Sequence, residues 1–121
     1  MAKRVKVAWL FQAVMKVIYN RLIPFKGYKC VNLFGVLFVR EGCTMRAEDY
    51  NHEAIHTAQM KELLYVPFYL LYVLEWLWRL ARLREAKTAY RAISFELEAY
   101  AHQSDTGYLR TRKPFNQYKK N

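Results

Sequence analysis

The sequence predicts a mainly α-helical (α+β) single domain carrying one small β strand or hairpin. Three observations support this. Helical periodicity runs through residues 46–64 and returns through 87–103, residues 28–40 are dense in Val, Phe, Leu and Tyr, and 121 residues suffice for one modest core but not for two typical domains. The chain divides into an N-terminal segment (1–23), a central region (24–107) and a basic tail (108–121).

The elements follow in order. Across residues 5–19, Leu10, Phe11, Val14, Val17 and Ile18 recur at helical spacing opposite a polar stripe of Gln12, Lys16 and Asn20. An amphipathic helix is expected, packed on the domain or lying in a membrane interface with Lys3, Arg4 and Lys6 at the head groups. Pro24 and Gly27 then turn the chain. Residues 28–40 read as a strand or hairpin with Asn32 and Gly35 as turn points. Such a strand belongs to the core and could also hold an extended peptide through its backbone.

Thr44 is a suitable N-cap for the next helix, and Glu48 and Asp49 suit the positive end of its dipole. Pro67 should break or restart the helix. Residues 63–74 carry no charge and Glu75 interrupts them, well short of the roughly twenty apolar residues of a membrane span. A buried helix, or one dipping into an interface with Trp76, Trp78 and Arg79 at head-group level, fits better. Residues 79–90 read as a charged helical end or connector. Helical pattern resumes over 87–103 with Gly107 as its stop, and the tail beyond is basic and polar.

Composition bounds the partners. The chain is 54% hydrophobic and 17% aromatic, and twenty Lys+Arg against ten Asp+Glu give a net charge of +10, so its surface should seek anions. The basic clusters flank the two most apolar stretches, which favours an anionic membrane surface. No specific nucleic-acid recognition motif is present. Cys30 and Cys43 show no metal or disulfide spacing and read as thiols in a reducing compartment. The N-terminal apolar run is interrupted by Gln12 and Lys16 and lacks a cleavage-site pattern, so the expected location is cytoplasmic, peripheral on the inner membrane face.

The chemistry centres on His52-Glu53-Ala54-Ile55-His56, an H-E-x-x-H stretch inside the helical run. Residues four apart share a helix face, so two imidazoles can bind one Zn2+ ion while Glu53 reaches a water beside it. Glu96, on the later helix, supplies the third ligand of a His2Glu site with an open fourth position. Glu98 is the rival ligand, roughly 200° round the helix from Glu96. It could instead pair with Arg91, Arg82 or Arg84, or with His102 at i+4. Glu53-x-x-His56 is also half of a di-iron pattern, but Glu98 to His102 is one residue too long for the second half.

The two motifs resemble those of gluzincin-type zinc metallopeptidases, the minigluzincins and integral-membrane zinc peptidases most of all. In these the second motif reads E-x-x-A-D, and here Glu96, Ala99 and Tyr100 occupy those positions. N-H-E-x-I-H, V-P-F-Y and F-E-x-E-A-Y also resemble stretches of small bacterial zinc-peptidase-like proteins. The resemblance implies a zincin-like helical domain that hydrolyses a peptide or protein substrate. His52, His56 and Glu96 would be ligands, Glu96 being selected over Glu98 by the E-x-x-A spacing, and Glu53 the general base and acid. Tyr100 replaces the aspartate that would orient the first histidine, which puts activity more than metal binding in question. Tyr108, with Arg110 and Arg112, is a candidate to stabilise an oxyanion, and the tail could fold across the cleft to hold the enzyme latent. The alternative is a catalytically inactive metal-binding or docking module.

Overall fold

The computed structural model describes residues 15–24 and 27–118. Three strands, β1 (Lys16–Asn20), β2 (Cys30–Leu33) and β3 (Val36–Arg40), are followed by helices α1 (Ala47–Glu62), α2 (Val66–Leu83), α3 (Ala86–Ala92), α4 (Ser94–His102) and α5 (Tyr108–Thr111), then a 3-10 turn at Asn116–Tyr118. The mainly helical α+β class is as the sequence predicts.

The sheet has the order β1-β3-β2, with β1 parallel and β2 antiparallel to β3. The expected hairpin is there, closed by Phe34 and Gly35, both at positive φ (54° and 87°), the conformation that suits the twist of a two-residue hairpin turn. The helix expected over 5–19 is not, at least across Lys16–Asn20, which is a strand; the rest of that expectation lies outside the described residues. Val17, Ile18 and Tyr19 are β-branched or aromatic and pair with Leu37, Phe38 and Val39, so long-range pairing prevails over an ambiguous local pattern. Asn20 ends the strand by accepting hydrogen bonds from the Leu22 and Ile23 amides at 2.9 and 2.6 Å.

Helix α1 is the central element. Tyr50, Asn51, Ala54, Ile55, Thr57 and Gln59 on it are all fully buried, because the sheet covers one side and α4 the other. Met15, Leu37, Val39, Tyr50 and Ala54 form the sheet-side core, while Met60, Phe68, Ile93 and Phe95 form the helix-side core. Its N-cap is Arg46 and not Thr44; the Asp49 carboxylate accepts from the Arg46 amide at 2.9 Å.

Pro67 restarts the chain in the first turn of α2, which runs on through the predicted connector to Leu83. The single helix predicted over 87–103 is two, broken at Ile93, whose ψ of 134° is extended. The break is stabilised from α2: Glu75 accepts from the Ser94 amide and hydroxyl at 2.9 and 2.8 Å, satisfying the exposed N-terminus of α4. At its other end, Asn51 donates to the carbonyls of His102, Gln103 and Asp105, docking α4 on α1.

A buried His-His-Glu centre

The i, i+4 spacing on α1 places His52 and His56 on the face that meets α4, with Glu96 opposite in the first turn of that helix. His52 Nε2, His56 Nε2 and Glu96 Oε1 form a triangle whose three sides are each 3.1 Å. All three residues are buried. Ligand atoms about 2.0–2.2 Å from a tetrahedral zinc would stand roughly 3.3 Å apart, so the triangle has the dimensions of a metal site.

The outer contacts fix which atoms point inward. Gln59 donates through Nε2 to the Phe95 carbonyl (3.0 Å) and Glu98 (2.9 Å), which turns its Oε1 toward His56 Nδ1 at 2.8 Å. His56 Nδ1 must therefore be the donor, leaving the Nε2 lone pair facing the triangle. Gln103 Oε1 stands 2.8 Å from His52 Nδ1, the acceptor that suits the same tautomer. Tyr72 donates to the other oxygen of Glu96 at 2.6 Å. Three lone pairs thus converge on one point, which a cation or a shared proton must hold together. Without a metal the proton takes that place. Burial opposes charge on His56, but the carboxylates of Glu96 and Glu53 prevail and push its pKa to about 9, while Glu96 is held well below the usual carboxylate range.

Two shallow clefts open beside the triangle. One of about 230 Å³ is lined by Glu53, His56, Glu96, Tyr72, Tyr90 and the edge strand β2. The other, about 300 Å³, is lined by His52, Glu53, Tyr90, Tyr100 and Gln103. Glu53 and Tyr90 line both. Burial pushes the Glu53 carboxyl up, against the opposing influence of His56 and His52. Cys30 also lines both clefts, but burial and then Glu53 raise its thiol to about 12, so it stays a neutral thiol, unsuited to act as nucleophile or ligand.

Other predicted residues fall elsewhere. Glu98 faces away from the triangle; Arg112 (2.6 Å), Tyr108 (2.5 Å) and Gln59 occupy it, and none of Arg91, Arg82 and Arg84 is its partner. Tyr108 donates its hydroxyl to Glu98 while accepting from Asn116 at 2.6 Å, and it lines neither cleft. His102 stacks on the Tyr108 ring at 3.9 Å and stays clear of the triangle. Tyr100 does not orient His52 by a hydrogen bond; its ring packs edge-on at 4.5 Å beneath the Arg91 guanidinium, and Gln103 supplies the acceptor. Residues 108–118 of the tail line neither cleft and are anchored by Arg112 between Glu62 and Glu98.

Gln59, Gln103, Tyr72 and Tyr90 are the site residues that sequence reasoning missed. Only Gln59 left a signal, as a polar residue at i+3 from His56 and so on the histidine face of the same helix. No family model, no curated protein and no solved structure matches this chain, so nothing in those comparisons identifies a gluzincin family and the chemistry rests on the geometry of the site alone.

Proposed function

We propose that the protein is a zinc-dependent peptidase in which His52, His56 and Glu96 hold the metal and Glu53 is the general base. The observation that carries this is the convergence of two imidazole lone pairs and one carboxylate oxygen, 3.1 Å apart, at the wall of an open cleft. Two nitrogens and one oxygen with a free fourth position form the donor set of a hydrolytic zinc site. Bound there, zinc supplies Lewis acidity, polarising a carbonyl and lowering the pKa of water toward about 7.

The chain's own residues do the rest. Glu53 adjoins His52 in sequence, lines both clefts and has a raised pKa, so it can take a proton from water and return it to a leaving amine. Tyr90 lines both clefts, its hydroxyl 3.4 Å from that of Tyr100, and is the candidate donor to negative charge developing on the substrate oxygen.

An extended peptide would lie along β2. In a two-residue hairpin, Cys30 and Asn32 turn their backbone groups away from β3. Tyr69 occupies the Asn32 carbonyl at 3.2 Å, which leaves Cys30 to pair with a substrate backbone.

The test is metal analysis and peptide-library cleavage on wild type, His56→Ala and Glu53→Gln. Stoichiometric zinc in wild type, its loss in His56→Ala, and retained zinc without cleavage in Glu53→Gln are expected. Zinc without cleavage in wild type would leave the inactive metal-binding module. A wild type without zinc would sink the metal reading altogether.

A further inference from the structure

Helix α2 is built inside out. At 100° per residue, Val66, Leu70, Val73, Leu74, Leu77 and Trp78 share an arc of about 140° that contains only apolar residues, and all six are exposed, from 49% (Leu77) to 61% (Leu74). The opposite face carries the polar groups: Tyr69 and Tyr72 donate to Asn32 and Glu96, and Glu75 caps α4. Leu64, just before α2, and Phe34 at the hairpin tip are also exposed, and Phe34 packs edge-on against Tyr69 at 5.1 Å. A continuous apolar face of this kind marks an interaction surface, since scattered exposed leucines do not align.

Charge selects the occupant. The guanidinium of Arg82 lies over the Trp78 ring at 5.0 Å, that of Arg79, paired with Glu75 at 3.3 Å, lies over it at 4.8 Å, and exposed Arg84 and Lys87 follow. The nearest exposed acid, Glu85, is engaged at the N-terminus of α3. An aromatic ring bracketed by cations at the end of a leucine face is how a helix sits at a lipid boundary. No single helix among the described residues is long and apolar enough to cross a membrane.

We propose that the outward face of α2 docks on an anionic phospholipid surface, the helix lying in the interface with Leu70, Leu74 and Leu77 among the acyl chains and the exposed Arg82 and Arg84 at the phosphates. The proposal is independent of the metal reading, and its test uses no hydrolysis.

Full-length protein would be co-sedimented with phosphatidylcholine vesicles with and without phosphatidylglycerol, at low and high salt. Expected are binding to the anionic vesicles only, its loss at high salt, at least tenfold weaker partition for Leu70→Glu/Leu74→Glu, and roughly fivefold weaker partition for Arg82→Glu. Unchanged circular dichroism would show that the variants fold. Should the double variant fail that check, the wild-type salt series and Arg82→Glu still decide. Equal binding to neutral and anionic vesicles, or a folded double variant that binds as wild type does, would overturn the proposal. So would a wild-type dimer that the double variant converts to monomer while neither sediments with vesicles.

Discussion

Gln59 shows how a single amide can fix which nitrogen an imidazole turns toward a candidate metal centre. Its nitrogen has two acceptors, the Phe95 carbonyl and Glu98, so its oxygen must face His56 and the imidazole must present Nε2 to the centre. Gln59→Leu should fold yet bind zinc about 10–100-fold more weakly in a chelator competition, the usual cost of losing such an orienting contact. The same imidazole predicts a pH dependence. In the metal-free protein the His56 pKa stands at about 9 against an ordinary 6.5, so its contribution to stability is full below pH 6.5 and is lost as pH rises through 9. Zinc must displace that proton, so its affinity should rise about tenfold per pH unit over the same window. Thermal melts from pH 6 to 9 should therefore fall with pH in chelator and rise relative to that series with zinc. Parallel curves would show that metal and proton do not compete at His56.

Elements were legible in the sequence wherever local pattern and tertiary contacts agree. Helix α1, the hairpin and the restart at Pro67 are of this kind, and the H-E-x-x-H spacing on α1 makes half of the centre readable. Glu96 could be found because a fixed motif spacing marks it, whereas Gln103 sits beyond the last turn of α4 and meets His52 only because Asn51 docks that end. Strand β1 and the break at Ile93 were hidden for the same reason, each being settled by a distant partner, β3 in one case and Glu75 in the other. Glu75 looked like a charge interrupting an apolar helix, and its task is to hold the N-terminus of the helix that carries Glu96. Glu75→Ala should cost about 1–3 kcal/mol in denaturant melts and weaken zinc binding, while Glu75→Gln, which keeps an acceptor, should recover part of both. The tail is tied down as firmly: Arg112, 5% exposed at its side chain, bridges Glu62 and Glu98. Arg112→Met should cost about 3–5 kcal/mol by stranding the buried Glu98 and the half-buried Glu62 carboxylates, and adding Glu98→Gln should return some of that loss.

In the whole molecule, α2 stands between two surfaces of opposite character. Its inner face, through Phe68, Tyr69 and Tyr72, walls the cleft beside the His-His-Glu centre, and its outer face is the apolar one flanked by arginines. If both proposals hold, the centre works about one helix diameter, roughly 10 Å, from the lipid surface. A peptide leaving the bilayer could then reach β2 without diffusing through bulk water, and tethering would raise its effective concentration at the cleft. Cleavage of a peptide anchored to phosphatidylglycerol-containing vesicles should therefore exceed cleavage of the same peptide in solution. The advantage should disappear in Leu70→Glu/Leu74→Glu while cleavage of the soluble peptide is unchanged. High salt should remove it as well, since screening acts on the exposed Arg82, Arg84 and Lys87 far more than on the buried triangle. Loss of cleavage of both substrates in the double variant would instead place the effect in the cleft wall, because lipid docking alone leaves the soluble reaction untouched.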